Sequence, residues 1–147
     1  MEFCRKTFGE LTKEELYEIL QLRSAVFVVE QNCPYQDLDG KDQAALHLFF
    51  RENGAITAYL RIMDRNVVSP YVSIGRVIAV HRRRGEATRL LTEAIRAARE
   101  HFRADRIYLE AQVYARALYE KLGFRQISEE FLEDGIPHIR MLLDCTD

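Results

Sequence analysis

The chain has 147 residues, of which 48% are hydrophobic and 30% are charged, and this length and composition predict one globular domain over residues 1–147. Its formal net charge of −2 argues against a nucleic-acid partner, because that function needs a broad basic surface. The three cysteines are scattered without a Cys-x-x-Cys pair, and no apolar run approaches the ~20 residues of a membrane span, so we expect a soluble cytoplasmic protein with no metal site and no membrane contact.

The first predicted elements are a short strand at residues 2–8 and an amphipathic helix. Thr12 and Glu15 have the spacing of a capping box, which predicts a helix from this point to about residue 26. Residues 28–42 contain Asn-Cys-Pro and Asp-Gly turn signals with acids between them, and they predict a long loop. A loop of this length inside a small domain is usually functional.

The rest of the chain alternates predicted strands with two helices. In order, the predicted elements are strands at 45–51, 55–63 and 71–80, an amphipathic helix after Gly85, a strand at 106–112, a short helix at 114–122 and two closing strands within 131–141. Asn53-Gly54 favours a tight antiparallel hairpin, and Gly123 has the place of a left-handed helix C-cap. A short crossover helix between the third and fourth of these strands predicts that they are parallel.

Residues 72–91 have the layout of an anion-binding site. An apolar strand ends at Arg82-Arg83-Arg84, and Gly85 then opens a helix. The first backbone N–H groups of a helix have no partner within it, and they carry partial positive charge that a phosphate can approach. The spacing matches neither the P-loop of NTPases nor the dinucleotide-binding glycine motif. The alternative interpretation is a charged turn that only ends the strand.

Several runs resemble one known family. Arg82-x-x-Gly85-x-Ala87 is similar to the Gln/Arg-x-x-Gly-x-Gly/Ala motif by which GNAT N-acetyltransferases bind the pyrophosphate of acetyl-CoA. Residues 115–124 resemble the Ala-x-x-Leu-Tyr-x-x-Leu-Gly-Phe run of the same family. Residues 23–42, ending at His47, and residues 133–139 resemble markers of its ElaA-like branch.

The resemblance implies a fold and a co-substrate. It implies an α+β fold in which helices flank a mixed, mostly antiparallel central sheet with one splayed parallel pair, and the pantetheine arm of acetyl-CoA lies between the splayed strands. The residues that it assigns to acetyl-CoA are Ile78, Val80, Arg83, Arg84, Gly85, Glu86, Ala87 and Thr88. Residues 78–81 are about two residues shorter than usual in the family, which leaves open which of residues 77–80 bind pantetheine.

Tyr119 is the predicted general acid. In the family a tyrosine at this place protonates the departing CoA thiolate, and the chemistry supports the same role, since acyl transfer from a thioester expels a thiolate that a nearby hydroxyl can protonate. The alternative is that Tyr119 is only a core aromatic on an amphipathic helix. No cysteine has a recognisable activated setting, so we expect direct transfer in a ternary complex without an acetyl-enzyme.

The general base is less well defined. A primary ammonium must lose a proton before it attacks a thioester, so a carboxylate or a histidine is expected nearby. Glu110, at the end of a strand beside the pantetheine slot, and His138, in the C-terminal marker, are the candidates that we assign to catalysis. Each could instead have a structural or substrate-positioning role.

The acidic loop predicts a site for a cationic acceptor, because carboxylates that line a cleft attract ammonium groups. Glu30, Asp39 and His47 are assigned to it, although a solvated loop surface would look the same. The sequence thus predicts an acetyltransferase that acts on the primary amine of a small molecule or peptide. The alternative is a non-catalytic acyl-CoA-binding sensor. A sheet edge near the last strand could pair two copies into a homodimer.

Overall fold

One mixed sheet of eight strands organises the part of the chain that the computed structural model describes, residues 1–82 and 84–145. The elements are β1 Glu2–Thr7, α1 Lys13–Arg23, a π-helix at Ser24–Glu30, β2 Leu46–Glu52, β3 Ala55–Met63, β4 Val72–Ala79, α2 Glu86–Phe102, β5 Arg106–Gln112, α3 Arg116–Lys121, β6 Arg125–Gln126, β7 Phe131–Glu133 and β8 Ile136–Asp144. No helix within these described ranges combines the length and the apolar character that crossing a bilayer requires.

The strand order is β1-β2-β3-β4-β5-β8-β6, and β7 pairs with β8. Only β4 and β5 are parallel among these pairs, because α2 carries the chain from one to the other, and this confirms the predicted mixed sheet. The two strands pair only where Val72 faces Ile107 and Ser73 faces Tyr108. Beyond these positions β4 pairs with β3 and β5 pairs with β8, so the parallel pair opens into a gap.

The main core lies between the sheet and α2. Leu90, Leu91, Ala94 and Ala98 are fully buried on one face of α2 and belong to the same hydrophobic cluster as β2, β3 and β5 residues. Full burial of one leucine side chain stabilises a fold by roughly 1.5–3 kcal/mol. The apolar stripe thus fixes α2 against the sheet, and with it the position of its first turn.

The predicted capping box of α1 is confirmed. Thr12 Oγ1 accepts a hydrogen bond from the Glu15 N–H at 3.0 Å, and Glu15 Oε1 accepts one from the Thr12 N–H at 2.8 Å. The helix continues further than predicted, as a π-helix to Glu30, so the first part of the predicted loop is helical. Residues 24–31 contain no glycine or proline to stop the helix, and Asn32, with a φ of 49°, ends it in the left-handed conformation.

The predicted turns also form. Asn53 and Gly54 both have positive φ, 51° and 80°, as a tight hairpin turn between β2 and β3 requires. Gly123 has a φ of 100° after α3, in the left-handed region predicted for it. The helix before it is shorter than expected, because Val113–Ala115 forms a 3₁₀ turn before α3 begins.

Candidate active site

A cavity of about 420 Å³ lies at the gap between β4 and β5. Residues of both strands line it, together with the loop after the π-helix, α3 and the hairpin of β7 and β8. Tyr119, Glu110 and His138, the three residues predicted to be catalytic, all line this one cavity. The fold thus brings together side chains that are far apart in the sequence.

The first turn of α2 has the geometry of an anion cradle. Gly85 precedes the helix with a φ of 71°, a conformation that side chains disfavour, and no side chain within the described residues caps the helix. A Cβ built on Gly85 would point into open space, so a ligand can approach the backbone there. Arg84 and Thr88 are exposed beside it. These features fit the diphosphate of a nucleotide co-substrate.

Three other residues predicted to bind the co-substrate differ in what they can offer. Glu86 is only 2% exposed, and its Oε2 has no hydrogen-bond partner among the described residues, so its backbone N–H rather than its side chain faces the cradle. Ile78 is buried in β4, and the Val80 N–H already donates to the Thr57 carbonyl at 2.8 Å. Arg83 lies outside the described residues.

A bulge in β4 shapes the wall of the cavity. The register against β3 shifts by one residue between the Tyr59 and Arg61 pairs, and Arg76, in the bulge, has a φ of 55°. A non-glycine residue in this conformation costs on the order of 1–3 kcal/mol. The Arg76 side chain lines the cavity, forms a 2.7 Å ion pair with Asp37 Oδ1, and lies 5.7 Å above the Tyr35 ring. These contacts hold the bulge in place.

Tyr119 is buried but has an unused hydroxyl. The side chain is 7% exposed and packs edge-on against Phe124, with 5.9 Å between ring centroids. The hydroxyl forms no hydrogen bond with any described residue, although Tyr119 lines the cavity. Burial raises the pKa of Tyr119 above its ordinary value, so the hydroxyl keeps its proton near neutral pH and can donate it.

Glu110 in β5 faces Arg140, and His138 in β8 lies two register positions away, opposite Gln112. A residue that the sequence did not single out, Tyr108, contacts Glu110. The Tyr108 hydroxyl donates to Glu110 Oε2 at 2.8 Å. His138 Nδ1 lies 2.7 Å from the Ile136 carbonyl, so this nitrogen carries the hydrogen and donates it. His138 Nε2 then faces Glu133 Oε2 at 3.6 Å. Burial, and then the neighbouring Glu110 carboxylate, raise the pKa of Glu133.

The acidic loop is electrically balanced. Arg23 Nε donates to Asp37 Oδ2 at 2.8 Å and its Nη1 donates to Asp42 Oδ1 at 2.6 Å, with all three groups buried. Arg61 donates to both Asp39 and Asp42. We call the six residues Arg23, Asp37, Asp39, Asp42, Arg61 and Arg76 the arginine–aspartate network. Its three positive and three negative groups cancel, so these aspartates do not present the negative surface that the sequence suggested.

The three residues assigned to the acceptor site do not come together. Asp39 lines the cavity, but Arg61 holds it. Burial would raise the pKa of Asp39, yet the Arg61 hydrogen bond dominates and the pKa lies well below its ordinary value. Glu30 is exposed at the end of the π-helix and does not line the cavity.

His47 belongs to the core rather than to the cavity. It is 0% exposed, its Nδ1 accepts from the Tyr59 hydroxyl at 2.7 Å, and its Nε2 donates to the Asp42 carbonyl at 3.0 Å. Burial lowers the pKa of His47 and keeps the ring neutral. Because both ring nitrogens are used and no surface is exposed, the structure corrects the prediction that His47 contacts the acceptor.

The polar residues that line the cavity include several to which sequence reasoning gave no role, among them Tyr35, Arg61, Arg76, Tyr108 and Glu133. Tyr35 and Glu133 lie inside runs that resemble markers of the ElaA-like branch, but that resemblance assigned them no role. Arg61 is one basic residue in an otherwise apolar strand, which predicts a buried ion pair without naming its partner. Within the described residues, no three His, Cys, Asp or Glu side chains are grouped as metal ligands.

Known proteins are similar to this chain in sequence and in fold. A model of the acetyltransferase (GNAT) domain matches residues 9–145. Protein ElaA of Escherichia coli is 42% identical over 137 residues, which cover 90% of each chain. The crystal structure of ElaA superposes with a TM-score of 0.91 and 37% identity, and that of an acyl-CoA N-acyltransferase from Pseudomonas aeruginosa with 0.90 and 40%; each match covers 97% of this chain and 99% of the other. The chain therefore belongs to the GNAT acetyltransferase family, in the branch that contains ElaA.

Proposed function

We propose that the protein is an N-acetyltransferase that moves an acetyl group from acetyl-CoA to the primary amine of a small molecule or peptide. One observation carries the proposal: the unpartnered hydroxyl of the buried Tyr119 lines a cavity that opens between two diverging parallel strands. The hydroxyl is not among the fully enclosed polar atoms, so water or a ligand in the cavity can accept its hydrogen bond. The thioester sulfur of acetyl-CoA is the ligand that family membership suggests.

Acetyl-CoA would be held by the cradle at α2. Gly85 and the N–H groups of Glu86, Ala87 and Thr88 would receive the diphosphate, with the charge of Arg84 beside them. The pantetheine arm would extend along the gap between β4 and β5, past Ile78 and Val80, where β4 has no partner on the side of β5. Because the Val80 N–H donates to Thr57 in β3, other backbone groups of β4 would bind the arm. The acetyl group would then reach the cavity.

The residues of the cavity supply the proton transfers. Glu110 or His138 would accept a proton from the acceptor ammonium, and Tyr119 would donate one to the CoA thiolate as the C–S bond breaks. Cys33 also lines the cavity, but burial and then the nearby Asp134 raise the pKa of its thiol, which disfavours the thiolate. Direct transfer from acetyl-CoA to the amine is therefore favoured over an acetyl-cysteine intermediate.

Calorimetric titration with acetyl-CoA and then CoA, followed by an amine panel read by thiol release, tests this function. We expect binding of both, and amine-dependent thiol release. Binding of acetyl-CoA without thiol release from any amine would point instead to an acyl-CoA sensor. Failure to bind acetyl-CoA would overturn the proposal.

A further inference from the structure

The wall of the cavity formed by β5, β7 and β8 differs electrically from the opposite wall. The arginine–aspartate network neutralises the loop side, whereas Glu110, Glu133 and Asp134 line the other side. His138 is the basic group that lines the cavity among them. The Arg140 guanidinium lies 5.1 Å above the Phe131 ring, with no ion pair to Glu110 or Glu133 within the described residues. Negative charge on this wall is therefore only partly balanced.

Two carboxyl groups on this wall meet. The Glu110 and Glu133 side chains both line the cavity and are neighbours there, although 22 other residues separate them in the chain. Two carboxylates can share a hydrogen bond only if one of them carries a proton, because two ionised groups repel each other. The Tyr108 hydroxyl and His138 Nε2 lie on either side of the pair.

Two polar groups beside this pair have no hydrogen-bond partner among the described residues on the side of the cavity. The Tyr119 hydroxyl lines the same cavity without a partner. The His138 side chain is 11% exposed, and its Nε2 is 3.6 Å from the Glu133 carboxylate, too far for a hydrogen bond. Both groups are therefore available to a molecule that enters the cavity.

We propose that Glu133 and Glu110 form a carboxyl pair that binds the ammonium group of the acceptor, which makes the acceptor a cationic primary amine. This inference rests on the proposed function and assigns its acceptor site. A primary ammonium has three N–H donors, so it can donate hydrogen bonds to both carboxylates at once. A single shared proton makes only one hydrogen bond between them. The cationic acceptor that the sequence placed at the acidic loop is thus assigned to the opposite wall.

The carboxyl pair can accept the proton that the acceptor ammonium must lose, and it returns to its starting protonation state after each reaction. At a pH where the pair holds one proton, binding of R–NH₃⁺ expels it to solvent and leaves two carboxylates around the cation. One carboxylate then takes a proton from the ammonium, the neutral nitrogen forms the C–N bond to the acetyl carbon, and the C–S bond breaks. The nitrogen's second proton ends on the CoA sulfur by way of Tyr119. The pair is again singly protonated, and one proton has been released overall.

Infrared titration of the carboxyl C=O band in the whole protein tests the pair without acetyl-CoA. We expect a carboxyl group with a titration midpoint above that of an ordinary glutamate, which lies near pH 4.3. It should be lost in Glu133→Gln and kept in Glu130→Gln, a matched control at an exposed glutamate outside the cavity. Methylammonium chloride should lower the titration midpoint, whereas tetramethylammonium chloride, which has no N–H donor, should not. A midpoint that is unaffected by Glu133→Gln or by methylammonium would overturn the proposal.

Steady-state kinetics separate this inference from the proposed function. With the amine that gives the fastest thiol release, Glu133→Gln should raise the KM for the amine about tenfold, equivalent to about 1.4 kcal/mol. The KM for acetyl-CoA should not change, and Glu130→Gln should match the wild type. An unchanged amine KM in Glu133→Gln would overturn the acceptor assignment while acetyl transfer stands. Absence of acetyl-CoA binding would instead remove the proposed function, and the infrared result would still decide whether the pair exists.

Discussion

At the scale of single residues, the cavity depends on groups whose environment prepares them for one task. Burial of Tyr119 keeps its hydroxyl protonated, and the lack of a partner leaves it free for a ligand. Gly85 supplies a backbone conformation that other residues resist, at the point where a phosphate must approach. Both are small features that a single substitution can remove.

Tyr119→Phe removes only the hydroxyl. We expect kcat for acetyl transfer to fall about 100-fold or more, because general acid catalysis typically contributes a factor of this size. Acetyl-CoA affinity should hardly change, since the ring still packs against Phe124. Thiol-release kinetics and calorimetry measure the two effects. Tyr17→Phe, at a tyrosine 74% exposed on α1, is the control, and an equal loss in both variants would contradict the role of Tyr119.

Gly85→Ala places a side chain in the left-handed conformation. We expect the free energy of unfolding to fall by roughly 1 kcal/mol and acetyl-CoA to bind more weakly, because the new methyl group occupies the approach to the cradle. Gly9→Ala is the matched control, since Gly9 also has open space at its Cβ position but lacks the positive φ. Urea unfolding and calorimetric titration of both variants measure these changes. Equal acetyl-CoA affinity in both would contradict the cradle.

The sequence predicted residues whose role follows from a local pattern, and it failed where partners are distant. Gly85 and Tyr119 stand in short motifs with a fixed backbone geometry. The roles of Asp39 and His47 are decided by their hydrogen bonds to Arg61 and Tyr59, respectively. Both of these partners lie in β3, which reaches this place only by pairing with β2. Glu133 meets Glu110 only across β8, and no spacing in the chain reveals that contact.

At the scale of elements, the arginine–aspartate network joins α1 and the long loop to β3 and β4. Arg23 comes from the last turn of α1, Asp37 and Asp42 from the loop, and Arg61 from β3. Removal of one partner from a buried ion pair leaves the other charge unpaired in the interior. The network therefore holds one wall of the cavity.

Arg23→Met should destabilise the protein by roughly 3–5 kcal/mol, because Asp37 and Asp42 lose their buried partner. Arg96→Met is the control, at an arginine 63% exposed on α2 whose ion pair with Glu93 lies on the surface, and it should change stability by less than about 0.5 kcal/mol. Urea unfolding measures both. A loss below about 1 kcal/mol in Arg23→Met would show that the network adds little.

The network also sets a pH dependence. Burial opposes ionisation of Asp42, but the Arg23 hydrogen bond and charge dominate and lower its pKa below the ordinary 3.8. Its contribution to stability is therefore complete above about pH 4 and is lost as the pH falls towards the lower pKa of the folded state. Arg23→Met should flatten this acid limb in unfolding curves measured between pH 5 and pH 3. An unchanged slope would assign the acid sensitivity to other carboxyl groups.

Elements were predicted where local chemistry decides them. The capping box of α1 and the Asn53-Gly54 hairpin are both readable over a few residues, and both form. The π-helix was missed because residues 28–30 precede strong turn signals but contain no helix-breaking residue themselves. The bulge at Arg76 was missed although Gly75 precedes it, because the positive φ falls on Arg76 rather than on the glycine.

At the scale of the whole molecule, the gap between β4 and β5 is the feature that a bound co-substrate would complete. Two pairs of residues hold these strands together, so the sheet is weakest at its centre. A ligand that binds only the folded protein stabilises it in proportion to its occupancy. Acetyl-CoA would lie against both halves of the sheet at once.

Acetyl-CoA at 100 times its dissociation constant should raise the free energy of unfolding by about 2.7 kcal/mol. For a domain of 147 residues, this corresponds to a rise in Tm of several degrees in a thermal melt. Acetate, which lacks the nucleotide and pantetheine parts, is the control and should leave Tm unchanged. The same rise with acetate would indicate a general effect of anions.

The arginine–aspartate network also constrains how this sequence can evolve. Two charges of each sign, Arg23, Arg61, Asp37 and Asp42, are buried together. A single substitution at Arg23, Asp37 or Asp42 leaves an opposite charge unpaired, whereas simultaneous loss of an arginine and an aspartate does not. Among descendants of this chain, these positions should therefore change in pairs or not at all. Variation in acceptor preference would then arise more easily on the wall of β5, β7 and β8, where side chains can change one at a time.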